Sequence, residues 1–469
     1  MSLRYDLQAE DVRVRHAMSS DRATIFALSS GRPPAAIAVI RISGSRASEA
    51  LERLIGRVPQ PRRASLAQVR DPATHDVIDE GLALWFPAPN SETGEDVAEL
   101  HVHGGRAVIA AVLSALAKLS GLRPAEAGEF TRRAFENGRM DLTAVEGLAD
   151  LVAAETEAQR RQAYQQLRGL LGDRAESWRQ RLIEALALVE AGIDFSDEED
   201  VPKDMMSRAL ELIRPLGEEI SKAATGHGER LREGLRVAIA GPPNAGKSTL
   251  FNRLARREAA IVSPFPGTTR DVLELHLDLG GYPVTILDTA GIRPTSDPVE
   301  REGVRRASEQ AANADLVLWV TEATGMETPD FSSSSAGQSA PNAVTWLVVN
   351  KMDLLTEKEK RKFESVFDQD NCISSTTGLG VDELMNQLSE FAARFFTSEP
   401  ALVTRERQRS HLRETALALE RARGAAQEGR EEIMAEHLRL AARALGKLLG
   451  RVDVEHVLDV IFRDFCIGK

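Results

Sequence analysis

The spacing of hydrophobic residues changes along this chain and divides it into regions. Short apolar runs fill residues 22–138, whereas from residue 140 apolar side chains recur at three- and four-residue steps. The first pattern is typical of strands broken by helices and predicts an α+β domain. Its strands are predicted at 23–28, 35–42, 77–86 and 97–102, and its helices at 45–55, with Ser45 as N-cap, and at 107–119.

Helical spacing dominates residues 139–233 and returns in residues 386–469. The apolar stripes comprise Val145, Leu148, Leu151 and Val152; Tyr164, Leu167, Leu170 and Leu171; Trp178, Leu182, Leu186 and Val189; Met434, Leu438, Ala441, Leu445 and Leu448; Val454, Leu458, Ile461 and Phe465. Because the termini of a domain often lie close together, a domain at 234–385 inserted into one helical bundle explains both segments. Residues 1–21 are predicted to be a flexible leader and 324–342 a flexible surface insertion.

The inserted segment begins with a phosphate-binding sequence. Residues 241–248 read Gly-Pro-Pro-Asn-Ala-Gly-Lys-Ser, between a predicted strand at 235–240 and a predicted helix at 248–255. A glycine turn in that place directs backbone N–H groups and a helix N-terminus at an anion. Lys247 is then expected to reach the β- and γ-phosphates of a nucleotide, and Ser248 to bind Mg²⁺. For these eight residues alone, a chance match in a strand–loop–helix unit is the alternative.

Three further motifs follow in the order of a guanine-nucleotide switch domain. Thr269 is predicted to close on the metal, and Asp288 ends a hydrophobic strand, with Gly291 placed for the γ-phosphate. Asp353 ends another strand, and a carboxylate there accepts hydrogen bonds from two guanine N–H groups that adenine lacks. The predicted GTP contacts are Asn244, Ala245, Gly246, Lys247, Ser248, Thr249, Ser263, Pro264, Phe265, Pro266, Gly267, Thr268, Thr269, Asp288, Thr289, Ala290, Gly291, Asn350, Lys351, Asp353, Ser374 and Ser375. The sequence therefore predicts a GTPase with a Ras-like α/β domain in a multidomain α/β and α+β chain.

Composition narrows the class of protein. With 59 basic and 71 acidic residues the net charge is −12, which argues against a surface coated in positive charge for nucleic acid. A local basic patch, or one contributed by a partner, stays open. Two cysteines provide no disulfide framework and favour a reducing cytoplasm. No apolar run approaches the 18 residues of a membrane span, so we expect a soluble, cytoplasmic protein.

Short motifs along nearly the whole chain, from about Thr24 to Lys469, carry a family resemblance. They are Arg-Ile-Ser-Gly at 41–44, Asn-Ser-Glu-Thr-Gly-Glu at 90–95, His-Gly-Gly at 103–105, Gly-Glu-Phe-Thr at 128–131, Asn244 in the phosphate loop and Phe-Cys-Ile-Gly-Lys at 465–469. The chain resembles the bacterial tRNA modification GTPases. The resemblance implies a homodimer that joins an FAD-dependent subunit in a heterotetramer, binds tRNA and installs an aminomethyl or carboxymethylaminomethyl group on C5 of the wobble uridine.

The resemblance also implies a folate site in the N-terminal domain, residues 22–138, which is the dimerisation domain of the family. Arg41, Glu99, Arg139 and Lys469 stand where the family contacts a reduced folate, 5-formyl- or methylene-tetrahydrofolate. From the residues alone, Arg41 either faces a ligand carboxylate or extends to a strand edge, since burying a bare guanidinium is costly. Glu99 either binds the pterin donors or belongs to the polar face of its strand. The pair His101 and His103 lacks an evident third metal ligand, so packing is the favoured interpretation.

Hydrolysis needs an organiser for the attacking water, because Ile292 stands where many small GTPases carry glutamine. The resemblance implies that Glu300 has this role, although a solvated residue at a helix start is the alternative. No arginine is clearly placed as an arginine finger, but Arg293 stays open for that role. It also implies a K⁺ ion bound by Asn244, with Ser263, Phe265 and Thr268, when two GTPase domains meet.

Cys466 has two open interpretations. It is either a small residue buried beside Phe462 and Phe465 or, as the resemblance suggests, a functional thiol at the uridine site. A competing function for the whole chain is a regulatory or ribosome-assembly switch without modification chemistry.

Overall fold

A computed structural model describes residues 22–194, 205–225, 228–257, 259–261, 274–288, 314–323, 344–364, 371–396 and 402–452, together with residues 458, 461, 462, 465 and 468. The chain forms two compact units. One comprises Met1–Ala149, Gly172–Met205 and Glu431–Lys469, and the other comprises Asp150–Leu171 and Met206–Arg430. The helices predicted at 139–233 are therefore shared between the two units.

The first unit contains a six-stranded sheet. Its strands are β1 (Thr24–Leu28), β2 (Ala35–Ser43), β3 (Ser65–Arg70), β4 (Val77–Phe86), β5 (Val97–Gly104) and β6 (Leu122–Pro124). The sheet order is β3-β4-β5-β2-β1-β6, antiparallel except for the parallel pair β1 and β6. The patterning missed β3, which has only one buried apolar residue, Val69, and exposes Leu66, and it missed β6, which is three residues long and contains proline.

Helices α1 (Ala47–Ile55) and α2 (Arg106–Ala117) cover one face of this sheet. Helix α1 begins two residues after the predicted cap, because Thr24 Oγ1 accepts the hydrogen bond from the backbone N–H of Arg46 at 2.9 Å. On the opposite face, α3 (Glu129–Glu136) contributes Phe130, which is buried with Ile25 of β1. That face leaves polar side chains of β2 and β5 accessible.

The remaining helices of the first unit are α6 (Leu170–Asp194) and α13 (Glu431–Leu449), and α4 (Leu142–Ala153) begins in it. The predicted stripe of α13 is confirmed, since all five of its residues are buried. Near the C-terminus, Leu458, Phe462 and Phe465 form a core with Leu142 and Val145 of α4. The C-terminal segment thus packs on the helix that follows the N-terminal domain.

The second unit contains a five-stranded sheet in the order β11-β10-β7-β9-β8. Its strands are β7 (Leu235–Ala240), β8 (Glu274–Leu279), β9 (Tyr282–Asp288), β10 (Leu316–Glu322) and β11 (Val344–Asn350), parallel except for β8. Helices α9 (Lys247–Ala255) and α11 (Val381–Phe395) pack on one face. The predicted domain boundary after residue 385 falls inside α11, and because Leu388 and Ala392 are buried in the same core, the GTPase unit continues past it.

The other helices of the second unit are α7 (Met205–Ala224), α8 (Gly228–Glu233), α10 (Glu357–Glu364) and α12 (Glu406–Gln427), with α5 (Glu157–Leu167). The buried side of α5 is polar, and Tyr164 of its predicted apolar stripe is 48% exposed. Three glutamines bond to the chain where it enters and leaves the GTPase sheet: Gln159 to Arg232 O at 3.1 Å, Gln162 to Gly228 O at 3.1 Å and Gln166 to Leu402 O at 2.8 Å. Backbone carbonyls need donors when they are buried, which explains why this face is not apolar.

Candidate functional site

The phosphate loop lies between β7 and α9, at the carboxyl edge of the parallel strands. Gly241 has φ +138°, and a Cβ there would lie 2.0 Å from Val320 O; Gly246 has φ +93°, and a Cβ there would lie 2.2 Å from Asn350 Nδ2. Both positions therefore require glycine. The loop delivers the chain to the first turn of α9, where Ser248 and Thr249 are exposed. This geometry presents helix N–H groups to an anion, as the sequence predicted.

Lys247 folds back over the loop. Its Nζ donates to Gly241 O at 2.9 Å and to Pro242 O at 2.8 Å. Burial lowers the pKa of Lys247, and the nearby charge of Asp288 acts in the opposite direction. Asp288 is 6% exposed at the end of β9. A phosphate group would replace the two carbonyls as the partner of this ammonium.

The Ser248 hydroxyl and the Asp288 carboxylate are hard oxygen donors, the type that Mg²⁺ prefers. They fit a magnesium site beside the nucleotide phosphates. Thr269, which the sequence predicted as a Mg²⁺ ligand together with Ser248, lies outside the described residues. Asn244, one of the predicted K⁺ ligands, is described, exposed and in the left-handed region at φ 66°. The other predicted K⁺ ligands, Ser263, Phe265 and Thr268, lie outside the described residues.

Asn350 joins the phosphate loop to the predicted base-contacting loop. It is 1% exposed, and its Nδ2 donates to Ala245 O at 2.8 Å. Its Oδ1 accepts from Ser375 N at 2.9 Å and from Ser375 Oγ at 3.0 Å. All three bonds lie in a buried setting, so the side chain holds two distant loops in one arrangement.

Asp353 lies beside the same loop. Its Oδ1 accepts from Ser374 Oγ at 2.6 Å, while its side chain is exposed. Lys351 has φ 66° and pairs with Glu322 at 2.8 Å. Hydrogen bonds thus join Asn350 and Asp353 to Ser374 and Ser375. Of the predicted nucleotide contacts, 263–269 and 289–291 lie outside the described residues, as does Glu300.

The predicted folate residues Arg41 and Glu99 are direct cross-strand partners on β2 and β5. Arg41 Nε donates to Glu99 Oε1 at 3.0 Å, and the guanidinium also pairs with Glu92 and lies 5.8 Å from the centre of the Phe130 ring. Both side chains of the cross-strand pair are 16% exposed. Arg41 is therefore neither extended to a strand edge nor bare: it is held by two carboxylates at a partly open site. The sequence did not identify Glu92 as a partner of Arg41, although Glu92 belongs to the 90–95 motif.

Of the other two predicted folate residues, the structure describes Arg139 but not Lys469. Arg139 follows α3, and its Cγ would lie 3.3 Å from a Cβ placed on Gly94, so it packs against the 90–95 loop. Lys469 and Cys466 lie outside the described residues. Their neighbour Gly468 has φ +101°, and a Cβ there would lie 2.1 Å from Leu28 O at the end of β1. Gly468 thus lies beside β1, the strand that pairs with β2 at Arg41.

A buried ion network supports this part of the fold. Arg133 is 3% exposed and bonds Glu95 at 2.9 Å and Glu129 at 3.1 Å. Glu95 also accepts from Ser43 Oγ at 2.8 Å. Burial would raise the pKa of Glu129, but hydrogen bonds from Arg123, from the backbone N–H of Glu126 and from Arg133 together lower it. The motifs at 90–95 and 128–131 are therefore joined by ion pairs to Arg133, and the motif at 41–44 is joined to them by the hydrogen bond of Ser43.

The histidine pair has carboxylate partners. His103 Nδ1 lies 2.8 Å from Asp79 Oδ1, and His101 Nε2 lies 3.2 Å from Glu99 Oε2. Within the described ranges, no group of three or more His, Cys, Asp or Glu side chains is arranged to hold a metal ion. Across the same ranges, no helix is long and apolar enough to cross a membrane.

Two protein families match the chain, one after the other. The family described as GTP-binding protein TrmE N-terminus matches residues 24–139, and the MnmE helical domain matches residues 142–466. The tRNA modification GTPase MnmE of Bradyrhizobium sp. strain BTAi1 is 57% identical, over 95% of this chain and 99% of that protein. Its counterpart in Azorhizobium caulinodans is 54% identical, over 96% of this chain and 100% of that protein. Among solved structures, Aquifex aeolicus Era bound to GDP and AlF4⁻ is 26% identical, over 39% of this chain and 66% of that chain, with a TM-score of 0.27.

Proposed function

The chain belongs to the MnmE family of tRNA modification GTPases, and on that premise we propose that its GTP hydrolysis serves the C5 modification of the tRNA wobble uridine. It is a GTP hydrolase of tRNA modification. The product of the proposed pathway step is an aminomethyl or carboxymethylaminomethyl uridine. The competing proposal is a regulatory or ribosome-assembly switch GTPase without modification chemistry. It does not account for the folate-type motifs of the N-terminal domain.

The observation that carries the GTPase part is the convergence of its motifs at one edge of one sheet. The phosphate loop follows β7, Asp288 ends β9, and Asn350 ends β11. The carboxyl ends of parallel strands are where α/β sheets bind ligands. Asn350 is hydrogen-bonded to both Ala245 of the phosphate loop and Ser375 of the proposed base-contacting loop, so one side chain fixes the two loops relative to each other. We infer that Asp353 reads the guanine ring and that Lys247 holds the β- and γ-phosphates.

For hydrolysis, water attacks the γ-phosphorus and the bond to the β–γ bridging oxygen breaks, giving GDP and phosphate. We propose that Glu300 orients this water, because Ile292 has no polar group for the task. A K⁺ ion held by Asn244, Ser263, Phe265 and Thr268 would stabilise the negative charge that develops, as an arginine finger does elsewhere. Its site would be completed when two GTPase domains meet.

The N-terminal domain is proposed to bind 5-formyl- or methylene-tetrahydrofolate. Glu99 offers a carboxylate to the neighbouring N–H donors of a pterin, and Arg41 holds that carboxylate at 3.0 Å. Arg139 and Lys469 are the further proposed contacts. A bound folate would supply the one-carbon unit, and Cys466 is proposed to lie at the site where the uridine is modified.

We propose that homodimerisation uses the face of the N-terminal sheet opposite helices α1 and α2. On this face Ile37, Leu66 and Leu82 are 61%, 62% and 41% exposed, and the last two are cross-strand partners. Exposed apolar side chains grouped on one face are typical of a protein interface. The dimer would join the FAD-dependent subunit in a heterotetramer that acts on tRNA in the cytoplasm.

The wobble nucleosides of a deletion strain test the proposal. Mass spectrometry of tRNA hydrolysates should show loss of the C5-modified uridine, restored by the wild-type gene but not by Lys247→Ala. Intact modification in the deletion strain would refute the proposed function and favour the switch alternative. Lys351→Ala is a milder variant for comparison, because it removes only the ion pair with Glu322 beside the base-contacting loop. We expect it to restore the modified uridine partly.

A further inference from the structure

The base-contacting loop is held from a second side by an arginine that no nucleotide motif contains. Arg253 lies on α9, six residues after Lys247. Its Nε donates to Ser375 O and its Nη2 donates to Thr376 O. These residues are more than 120 positions away in the sequence, so the contact is a product of the fold.

The loop is shaped to receive this guanidinium. Gly378 has φ +98°, and a Cβ there would lie 2.7 Å from Arg253 Nη1. The loop also closes on itself, because Gly378 N donates to Ser374 O at 2.8 Å and Ser374 N donates to Leu379 O at 2.8 Å. An arginine with two adjacent carbonyl acceptors fixes both the position and the orientation of a turn, since the guanidinium is planar and its donors are rigidly spaced.

Together with Asn350, the arginine closes a ring of contacts. Asn350 ties Ala245 of the phosphate loop to Ser375, and Arg253 ties Ser375 back to α9, the helix that the phosphate loop begins. Ser375 consequently has its N–H, its hydroxyl and its carbonyl all bonded. The adjoining Ser374 donates to Asp353 at 2.6 Å, so the position of the loop sets the position of that carboxylate.

We propose that Arg253 is a positioning residue for guanine specificity: by fixing the Ser375–Thr376 turn against α9, it orients Asp353 for the guanine N–H groups. Arg253 does not itself touch the nucleotide in this proposal. The inference rests on the proposed role of Asp353 as the base-reading carboxylate.

The test measures the Kd of full-length protein for GTP and for ITP, which lacks the exocyclic amine of guanine. In Arg253→Ala we expect the Kd for GTP to rise about tenfold and the preference for GTP over ITP to shrink severalfold, because a misplaced carboxylate loses its bond to that amine. Arg253→Lys, which can reach one carbonyl, should lie between. Arg256→Ala removes an exposed arginine from the end of the same helix and should match wild type.

Two results would overturn the proposal. One is an unchanged Kd and an unchanged GTP-to-ITP ratio in Arg253→Ala. The other is an equal loss of both nucleotides with a lowered melting temperature, which indicates only a structural role. Asp353→Asn tests the role of Asp353 independently of Arg253. If this variant keeps the wild-type preference for GTP over XTP, Asp353 does not read the guanine ring, whatever the result for Arg253→Ala.

Discussion

Replacing Asn350 with alanine should disconnect phosphate recognition from base recognition. The substitution removes three hydrogen bonds from a side chain that is 1% exposed, and it leaves Ala245 O and Ser375 N without their partners. A buried polar group left without a partner costs about 1–3 kcal/mol. Water can enter the space that the side chain vacates, so we take about 1–2 kcal/mol for each of the two groups.

The sum, about 2–4 kcal/mol, should appear mainly as lost nucleotide affinity, because the three bonds join the two loops that enclose the ligand. Since about 1.4 kcal/mol is a factor of ten, GTP affinity should fall about 30- to 1,000-fold. Fluorescence titration with a labelled guanine nucleotide measures the effect. Ser375→Ala removes only the hydroxyl bond and keeps the backbone bond, so its loss should be about tenfold or less.

The matched control is Asn252→Ala, an exposed asparagine on α9 that should bind GTP as wild type does. Melting curves establish that each variant is folded. If folded Asn350→Ala bound GTP within threefold of wild type, the claim that this side chain frames the site would be refuted. A loss in Ser375→Ala as large as that in Asn350→Ala would show that the two backbone bonds of Asn350, to Ala245 O and from Ser375 N, contribute nothing to GTP affinity.

Three more predictions concern hydrolysis, modification and pH. GTP turnover should require K⁺ and rise with protein concentration, and Asn244→Ala should abolish the K⁺ effect while GTP affinity changes little; equal rates in Na⁺ and K⁺ would contradict this. Glu300→Ala should bind GTP but lose most hydrolysis, whereas Cys466→Ser should hydrolyse GTP yet fail to restore the wobble nucleoside; full restoration by a folded Cys466→Ser would make the thiol a packing residue. The lowered pKa of Glu129 means that its contribution to stability is present above its ordinary value of 4.5 and is lost as the pH falls through the folded value. Glu129→Gln should therefore be less stable at pH 7, and the difference should shrink below about pH 4.5 in acid-unfolding experiments; a difference independent of pH would exclude the ionised carboxylate as its cause.

Local sequence was enough to predict three of the five strands of the GTPase sheet, β7, β9 and β11, and the motifs that follow them. The strands Leu235–Ala240 and Val344–Asn350 are mostly apolar, which is typical of parallel strands in a sheet covered by helices. The phosphate loop was predictable because backbone geometry requires glycine at two fixed positions, Gly241 and Gly246. The domain boundary after residue 385 could not be found in this way, since Val381–Phe395 has the same helical spacing as the bundle helices.

The polar contacts that complete the sites were decided by tertiary structure. Arg41 meets Glu99, 58 residues away, through the register of β2 and β5, and Asn350 meets Ala245 across 105 residues. Arg253 reads in the sequence as a charged residue on a helix surface, and only the fold brings the Ser375 carbonyl to it. The buried glutamines of α5 were likewise not predictable. The pattern of apolar side chains indicates which residues are buried, but it does not indicate which backbone carbonyls need a hydrogen-bond donor.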